Sequence, residues 1–315
     1  MAAQQEPSEI RVEIDGRTLK VSNLGKVLYP ATGTTKGEVL HYYATIAPVL
    51  LPQLRDRAVT RVRWPHGVAG QSFFEKNIPA GTPGWVRTAT VPTTGSRTAT
   101  REEGTLTFPV VDDLATLTWL ANLAAIELHV HQWRVSAQGE PLGADRIVID
   151  LDPGDPAGLH ECAQVALLAR EKLAGLGLSA TPVLSGSKGI HLYATLADPL
   201  PSDDATAVAK RVAEQLQKEH PALVTAAMTK AKRPGKVFLD WSQNAGSKTT
   251  VCPYSLRGRE RPTAAAPLTW AEVEEGAQDP LALEQLGFEE VLARVQAQGD
   301  LFAADRDGRE EAARP

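Results

Sequence analysis

The sequence predicts an α+β, or mixed α/β, protein in which helices and strands alternate irregularly. Three observations carry this prediction: a hairpin pattern at the N-terminus, several apolar segments of strand length, and helical periodicity between them. Hydrophobic residues make up 43% of the 315 residues and charged residues 23%, which excludes collagen, coiled coil and wholesale disorder. Neither a dinucleotide-binding GxGxxG motif nor a P-loop motif is present, so a doubly wound nucleotide fold is not indicated.

The N-terminal half is expected to begin with a hairpin and a capped helix. Residues 9–22 alternate apolar and polar side chains around Asp15-Gly16, a pair suited to a two-residue turn. After a loop over 23–36, Thr35 and Glu38 fit a capping box that starts a helix. The other elements expected here are a strand over 58–63, short strands and loops over 66–104, an extended segment over 105–111, a helix from Asp112 or Asp113 to about Ala125, and a strand over 126–135.

The C-terminal half is expected to bury most of its strands. Its elements are a strand over 146–152, a helix over about 157–175, strands over 181–186 and 190–196, a helix over about 203–219, strands over 236–241 and 248–256, and helices starting at Thr269 and Phe288. Residues 303–315 are charged, small and aperiodic, as in a disordered tail. We therefore expect a single domain over 9–299 and a charged tail or linker over 300–315.

Charge and cysteine content limit the compartment and the ligands. No run of about 18 apolar residues exists and the N-terminus is polar, so a cytoplasmic protein without a membrane partner is expected. Cys162 and Cys252 form no CxxC pair, which excludes a disulfide framework and a zinc knuckle. Residues 263–315 hold 12 acids and 4 bases, so within the net charge of −5 the preceding chain is mildly basic, which can suit a nucleic-acid ligand.

Carboxylates on apolar strands are the first candidates for chemistry. Asp150 and Asp152 are two residues apart in IVIDLDPG, so their side chains share one face of a strand. A divalent cation would make such a pair tolerable, whereas the plainer alternative is a pair that caps a helix or binds an arginine. Asp240, near the end of a second apolar strand, either completes a two-metal site or is a solvent-exposed edge residue.

Groups suited to phosphates lie near these strands. The turn SGSKG, residues 185–189, offers backbone amides, hydroxyls and Lys188, although it also fits an ordinary hairpin turn. Two basic clusters, KAKRPGK (230–236) and RGRER (257–261), adjoin the apolar strands and are alternatively solvated charge runs. His191 follows the turn and either points into the same site or packs in the core.

Histidine and aromatic pairs leave more alternatives open. His129 and His131 share a strand face and could bind zinc, although hydrogen-bonded structural histidines are commoner. Phe73 and Phe74 stand together in what is expected to be a polar loop, where they either stack on bases or enter the core.

Seven collinear motifs together resemble the polymerase domain of bacterial ligase D, a member of the archaeo-eukaryotic primase superfamily. They are KVLYPATGTTK (26–36), TRVRWPHG (60–67), FFEK (73–76), IVIDLDPG (147–154), SGSKGIHLY (185–193), KVFLDWSQN (236–244) and PYSLRGR (253–259). The resemblance runs from about residue 20 to 298. It implies a primase-like core of central mixed or antiparallel sheets flanked by helices. It also implies a template-directed nucleotidyltransferase that fills gaps and extends ends in non-homologous end joining.

The resemblance also implies roles for individual residues. Asp150, Asp152 and Asp240 match carboxylates that hold two Mn²⁺ or Mg²⁺ ions. Lys26 and Lys36 match lysines that grip the 5′-phosphate of the downstream strand. The residues that match nucleotide-binding positions are His129, Ser185, Ser187, Lys188, Arg233, Gln243 and Arg257, and those that match a loop stacking near the template and nascent pair are Phe73 and Phe74.

The implied reaction is in-line attack of the primer 3′-hydroxyl on the α-phosphate of an NTP or dNTP, with ribonucleotides and manganese usually favoured in the family. The implied partner is DNA with gaps, overhangs or double-strand-break ends, and Ku and a DNA ligase are further candidates. A monomer is expected, or a pair across two DNA ends. The chain lacks the K-x-D-G motif of a ligase, so it is expected to be a stand-alone relative or an excised domain.

Two other functions stay open at this point. One is a metal-dependent phosphodiesterase or nuclease that uses the three aspartates with His129 and His131. The other is a non-catalytic module that binds DNA ends through Lys26, Lys36 and the phenylalanine pair. Product lengthening, shortening or neither would distinguish the three functions.

Overall fold

The computed structural model describes residues 9–92 and 104–302. The expected tail over 303–315 and part of the expected loops over 66–104 therefore lie outside the described residues. Within the described ranges the helices are α1 (Lys36–Leu54), α2 (Leu114–Asn122), α3 (Leu159–Ala174), α4 (Ser202–Glu219), α5 (Trp270–Gln278) and α6 (Phe288–Gln298). No helix among them is long and apolar enough to cross a membrane.

The two longest strands, β11 and β13, both lie after residue 136. The strands before residue 136 are β1 (Glu9–Ile14), β2 (Arg17–Ser22), β3 (Val27–Tyr29), β4 (Thr34–Thr35), β5 (Val59–Arg63), β6 (Phe73–Glu75), β7 (Thr88–Pro92), β8 (Thr105–Pro109), β9 (Ala125–Val130) and β10 (Trp133–Val135). Those after it are β11 (Pro141–Pro153), β12 (Ala180–Leu184), β13 (Ile190–Leu200), β14 (Val224–Thr225), β15 (Val237–Asp240), β16 (Thr250–Val251) and β17 (Ala266–Pro267).

Two sheets form the body of the molecule. The larger follows the order β14-β15-β11-β13-β12-β17, with β10 paired to the start of β11, and only its β14–β15 pair is parallel. The smaller is antiparallel in the order β16-β9-β5-β6. Helices α3 and α4 pack against β11, and α1 packs against α2 and α6. One apolar cluster draws on both sheets and on the helices, which confirms the mixed α/β class.

Local signals in the sequence predicted several boundaries correctly. Asp15 and Gly16 both adopt positive φ between β1 and β2, as a tight hairpin turn requires. The Thr35 hydroxyl accepts a hydrogen bond from the Glu38 amide, and the Glu38 carboxylate accepts one from the Thr35 amide, so the capping box at α1 is confirmed. Asp113, rather than Asp112, caps α2.

Four expectations about strands are wrong. The single strand over 126–135 is two strands, because β9 pairs within the smaller sheet and β10 within the larger. The strand over 248–256 shortens to Thr250–Val251, and Pro253, which lacks an amide donor, lies two residues beyond its end. The loop over 23–36 contains the pair β3–β4. The phenylalanine pair lies on β6 rather than in a loop.

Candidate functional site

The pairing of β11 with β15 brings three carboxylates onto one face of the larger sheet. Asp150 lies directly opposite Asp240, and Asp152 lies two residues further along β11. Cross-strand partners share a face, as do residues two apart on one strand, so all three side chains project on the same side. His191 flanks Asp150 on the other neighbouring strand, with its Nε2 3.3 Å from Asp150 Oδ1.

These carboxylates repel one another. Burial raises the pKa of Asp152 above its usual range, and the charge of Asp150 adds to the shift, while Arg233 and Lys188 oppose it. Arg233 Nη1 lies 3.8 Å from Asp152 Oδ2. The amide and hydroxyl of Ser242 donate to Asp240 Oδ1, at 3.1 and 2.6 Å.

The three aspartates are of the ligand type that binds divalent cations, although their side chains do not converge on one point. Within residues 9–92 and 104–302, no three His, Cys, Asp or Glu side chains converge closely enough to hold a metal ion. Three carboxylates on one face nevertheless offer the hard oxygen ligands that Mg²⁺ and Mn²⁺ prefer. Burial, and then the charge of Asp150, raises the pKa of Asp152, and a bound cation would oppose both effects by favouring the ionised carboxylate.

The turn over 185–189 lies next to this face and is closed by hydrogen bonds within the turn. The Ser185 hydroxyl accepts hydrogen bonds from the amides of Ser187, Lys188 and Gly189, at 3.1–3.2 Å. A Cβ on Gly189 would lie 1.9 Å from the Leu151 carbonyl oxygen, so only glycine lets the turn approach β11 this closely. Ser187 is half-buried and Lys188 is exposed.

Glu127 links two groups that were predicted to bind nucleotide. Its Oε2 accepts a hydrogen bond of 2.7 Å from His129 Nε2, and its Oε1 lies 3.2 Å from Arg257 Nε. The Gly258 amide donates to the same Oε1 at 2.9 Å, and Arg257 Nη1 also donates to the Ser185 carbonyl at 2.5 Å. Burial raises the pKa of Glu127, but the His129 hydrogen bond and the Arg257 charge outweigh this effect and lower it to about 2.

Sequence reasoning missed Glu127, although a signal was present. It alternates with His129 in the apolar segment IELHV, so both had to share a strand face. An acid inside an apolar strand was the feature that singled out Asp240, and the same test applied here would have found it.

A cavity of about 890 Å³ extends from His129. Gln243 lines it and donates from its Nε2 to Asp240 Oδ2 at 2.9 Å, which connects the cavity to the carboxylate face. Phe74 also lines it and makes an edge contact with His129 at 6.3 Å between ring centroids. Phe73 and Phe74 are both exposed, 41% and 54%, but point to opposite faces of β6, so only Phe74 belongs to this cavity.

The two lysines predicted to bind a 5′-phosphate are neighbours, and the Lys36 amide donates to the Lys26 carbonyl at 2.8 Å. Lys36 is buried, and its Nζ donates to the Ser22 carbonyl at 2.6 Å and to Asn122 Oδ1 at 2.7 Å. Burial, and then the charge of nearby Lys26, lowers the pKa of Lys36 to about 8. Lys26 is exposed.

This arrangement fits a nucleotidyltransferase of the primase-polymerase class. The chain belongs to the family described as the LigD primase-polymerase domain, whose model matches residues 35–302. This membership confirms the predicted family and enzyme class. It also implies nucleoside triphosphate substrates and a divalent metal.

Relatives of known name support this assignment. The multifunctional non-homologous end joining DNA repair protein LigD of Mycobacterium tuberculosis is 50% identical over 287 residues, which cover 90% of this chain and 36% of that protein. The bifunctional LigD of Bacillus subtilis is 33% identical over 90% of this chain and 43% of its own length. The chain thus spans less than half the length of each of these relatives.

A solved structure extends the likeness to three dimensions. The polymerase domain of ligase D from Mycobacterium tuberculosis, in complex with DNA, matches with a TM-score of 0.83 and 48% identity. The match covers 94% of this chain and 99% of that domain. The predicted primase-type fold is therefore confirmed.

Proposed function

We propose that this chain is a template-directed polymerase that fills gaps and extends ends in non-homologous end joining. The observation that carries the proposal is the strand register that sets Asp150 opposite Asp240, with Asp152 on the same face. The printed names of the relatives support the repair setting. We further propose that residues 9–299 form one catalytic domain, that it acts in the cytoplasm at the nucleoid, and that Ku and a separate DNA ligase are its partners.

Asp150, Asp152 and Asp240 would hold two divalent ions, Mn²⁺ or Mg²⁺. When bound, the ions would lower the pKa of the primer 3′-hydroxyl and offset charge on the reacting phosphate. Hydrogen bonds from Ser242 and Gln243 fix the carboxylate plane of Asp240. This leaves the three aspartates as a preformed anionic face.

The side chains proposed to bind the nucleotide are positioned by contacts with neighbouring protein groups. Arg257 is fixed by Glu127 and by the Ser185 carbonyl, so its guanidinium loses little freedom when it meets a phosphate. Lys188 adds an exposed charge at the same turn, and Arg233 and Gln243 adjoin the aspartates. His129 donates its Nε2 proton to Glu127, so Nδ1 is the ring nitrogen left to meet the substrate.

DNA would be held at two further places. Lys26 and Lys36 form a basic pair suited to the 5′-phosphate of a downstream strand, with Lys36 oriented by its contact with Asn122. The exposed rings of Phe73 and Phe74 suit stacking near the template and the nascent pair.

The positions of the two histidines give less support to the nuclease alternative. His129 contacts Glu127, and His131 stacks on Trp133 with ring centroids 4.2 Å apart, so the contacts of both histidines lie away from the three aspartates.

Extension of a labelled primer on a gapped, 5′-phosphorylated duplex tests the proposal. Reactions with NTPs or dNTPs, and with Mn²⁺ or Mg²⁺, should lengthen the primer to match the template, most readily with ribonucleotides and Mn²⁺. Shortening of the primer would favour the nuclease, and binding without any product would favour the end-binding module.

A further inference from the structure

The C-terminal part of the chain contacts the turn over 185–189, although no residue beyond Arg257 has a role in the proposed site. Thr263 lies shortly before β17, and Gln285 lies between α5 and α6. Both residues are outside the seven motifs, and both donate side-chain hydrogen bonds to backbone carbonyls of the turn. A region that the sequence left without a function therefore touches groups proposed to bind the nucleotide.

The two donors contact the turn near both of its ends. Thr263 Oγ1 donates to the Gly186 carbonyl at 2.5 Å, and Gln285 Nε2 donates to the Gly189 carbonyl at 3.1 Å. The Gly189 carbonyl also accepts a hydrogen bond of 2.9 Å from the Ser185 amide, which closes the turn. Thr263 and Gln285 thus bond the backbone of the turn itself.

Close packing holds the turn on two sides. Gly186 has a φ of 66°, and a Cβ there would lie 2.7 Å from Arg257 Cγ and 2.8 Å from the Ala264 carbonyl carbon. Both the positive φ and this close approach require glycine. Gly189 meets the Leu151 carbonyl in the same way on β11. The turn therefore contacts both the strand that carries the aspartates and the segment that carries the arginine.

Thr263 and Gln285 belong to one packed unit. Thr263 forms an antiparallel bridge with Gly287, two residues after Gln285. Two residues before Gln285, Leu283 packs against Gly276 of α5, where an added Cβ would lie 2.3 Å from Leu283 Cδ1. Gln285 is therefore anchored on both sides, and its position is coupled to that of Thr263.

The turn determines where two cations stand. The charge of Lys188 opposes the rise in the pKa of Asp152, so the lysine lies within electrostatic reach of the aspartate face. Arg257 Nη1 donates to the Ser185 carbonyl at 2.5 Å, which ties the arginine to the same turn. A small displacement of the turn would therefore move both cations relative to the aspartates, and misplacement by about 1 Å can cost a large factor in rate or affinity.

We propose that Thr263 and Gln285 are positioning residues for the triphosphate of the incoming nucleotide. They hold the turn over 185–189 where Lys188 and Arg257 can meet the phosphates above the aspartate face. The proposal rests on the proposed polymerase function and deepens it, because it gives α5, α6 and the loop between them a part in nucleotide binding.

Nucleotide affinity measured apart from chemistry tests this role. The chain is first bound to a gapped, 5′-phosphorylated duplex whose primer ends in a 3′-deoxynucleotide, which cannot be extended. Isothermal titration calorimetry then gives the Kd of the next correct NTP and of the matching dNTP. A second assay, with an extendable primer, gives the extension rate at saturating NTP.

The variants remove one hydrogen bond at a time. Gln285→Met keeps the length of the side chain but loses the donor, and Thr263→Val keeps the shape but loses the hydroxyl. Each should raise the Kd of NTP about two- to tenfold, the loss expected for one hydrogen bond. The factor should be the same for the dNTP, because the triphosphate is common to both. The extension rate at saturating NTP should stay near the wild-type value.

Conservative variants and controls distinguish positioning from general damage. Thr263→Ser, which keeps the hydroxyl, should bind NTP as the wild type does. Thr45→Val and Gln215→Met remove similar hydrogen bonds from exposed faces of α1 and α4, and should leave the Kd unchanged. Gln285→Met decides the matter by itself if Thr263→Val does not fold.

The proposal fails if Gln285→Met binds NTP as tightly as the wild type, or if Thr263→Ser is as impaired as Thr263→Val. It also fails if the variants slow extension at saturating NTP without changing the Kd, because the contacts would then not act on the nucleotide. Templated extension by the wild-type chain would stand in each of these cases, which separates this failure from failure of the proposed function.

Discussion

Replacing Glu127 tests whether one buried carboxylate holds the nucleotide-binding groups in place. Its two oxygens contact His129, Arg257 and the Gly258 amide at 2.7–3.2 Å. Burial raises the pKa of Glu127, yet these contacts lower it from 4.5 to about 2. That difference corresponds to about 3 kcal/mol of stabilisation at neutral pH.

The sign of the pH dependence follows from this lowered pKa. The folded state binds its proton less tightly than the unfolded state, so the stabilisation is complete above about pH 4.5 and is lost as the pH falls through 2. Glu127→Gln should lower the free energy of unfolding by about 2–3 kcal/mol at pH 7. The difference from wild type should narrow towards pH 3. Urea denaturation at pH 7, 5 and 3.5, followed by tryptophan fluorescence, measures it.

Measuring nucleotide binding distinguishes a positioning role of Glu127 from a purely stabilising one. Glu127→Gln should also weaken NTP binding, because Arg257 and His129 lose their shared anionic partner. Glu272 on α5, whose pKa is also lowered and which pairs with Arg294 on α6, gives a matched control. Glu272→Gln should lower stability without changing NTP affinity. The reasoning is refuted if the Glu127→Gln stability difference is the same at every pH, or if both variants bind NTP as the wild type does.

Three further predictions follow from the geometry. Because burial lowers the pKa of Lys36 to about 8, the preference for 5′-phosphorylated over 5′-hydroxyl gaps should fall between pH 7 and 9 in binding titrations, and a constant preference would contradict this role. Lys26→Ala with Lys36→Ala should weaken binding to 5′-phosphorylated gaps and reduce the salt slope by about 2, whereas equal loss on 5′-hydroxyl gaps would show that the lysines do not recognise the phosphate. Gly189→Ala should lower the free energy of unfolding by about 3 kcal/mol or more, because its Cβ would lie 1.9 Å from a backbone oxygen. Gly84→Ala, where the added Cβ meets open space, should change it little. Equal denaturation midpoints for the two variants would refute the contact.

Local chemistry predicted the fold well where a few neighbouring residues decide the outcome. The hairpin at Asp15-Gly16 and the caps at Thr35, Asp113 and Thr269 depend on contacts within four residues, so the sequence displays them directly. The two-residue strands β14 and β17 were not predicted, because pairing with distant strands creates them rather than any local pattern. The switch between sheets inside 126–135 was missed because both strands continue one apolar pattern.

In the candidate site, too, the sequence predicted the local features but not the contacts between distant residues. Alternation along β11 predicted that Asp150 and Asp152 share a face, and this is confirmed. Their pairing with Asp240 is a matter of long-range register, which the sequence suggested through resemblance rather than through local pattern. The contact of Glu127 with Arg257 joins residues 130 positions apart in the chain, and periodicity cannot reveal such a pair.

Primer extension by Asp150→Ala, run beside DNA binding in the same preparation, tests the central claim most directly. The claim is that the aspartate face carries out nucleotidyl transfer while other groups hold DNA. We predict that extension on a gapped duplex falls almost to nothing while the affinity for that duplex stays at the wild-type value. Extension at the wild-type rate by Asp150→Ala would contradict the assignment of the site.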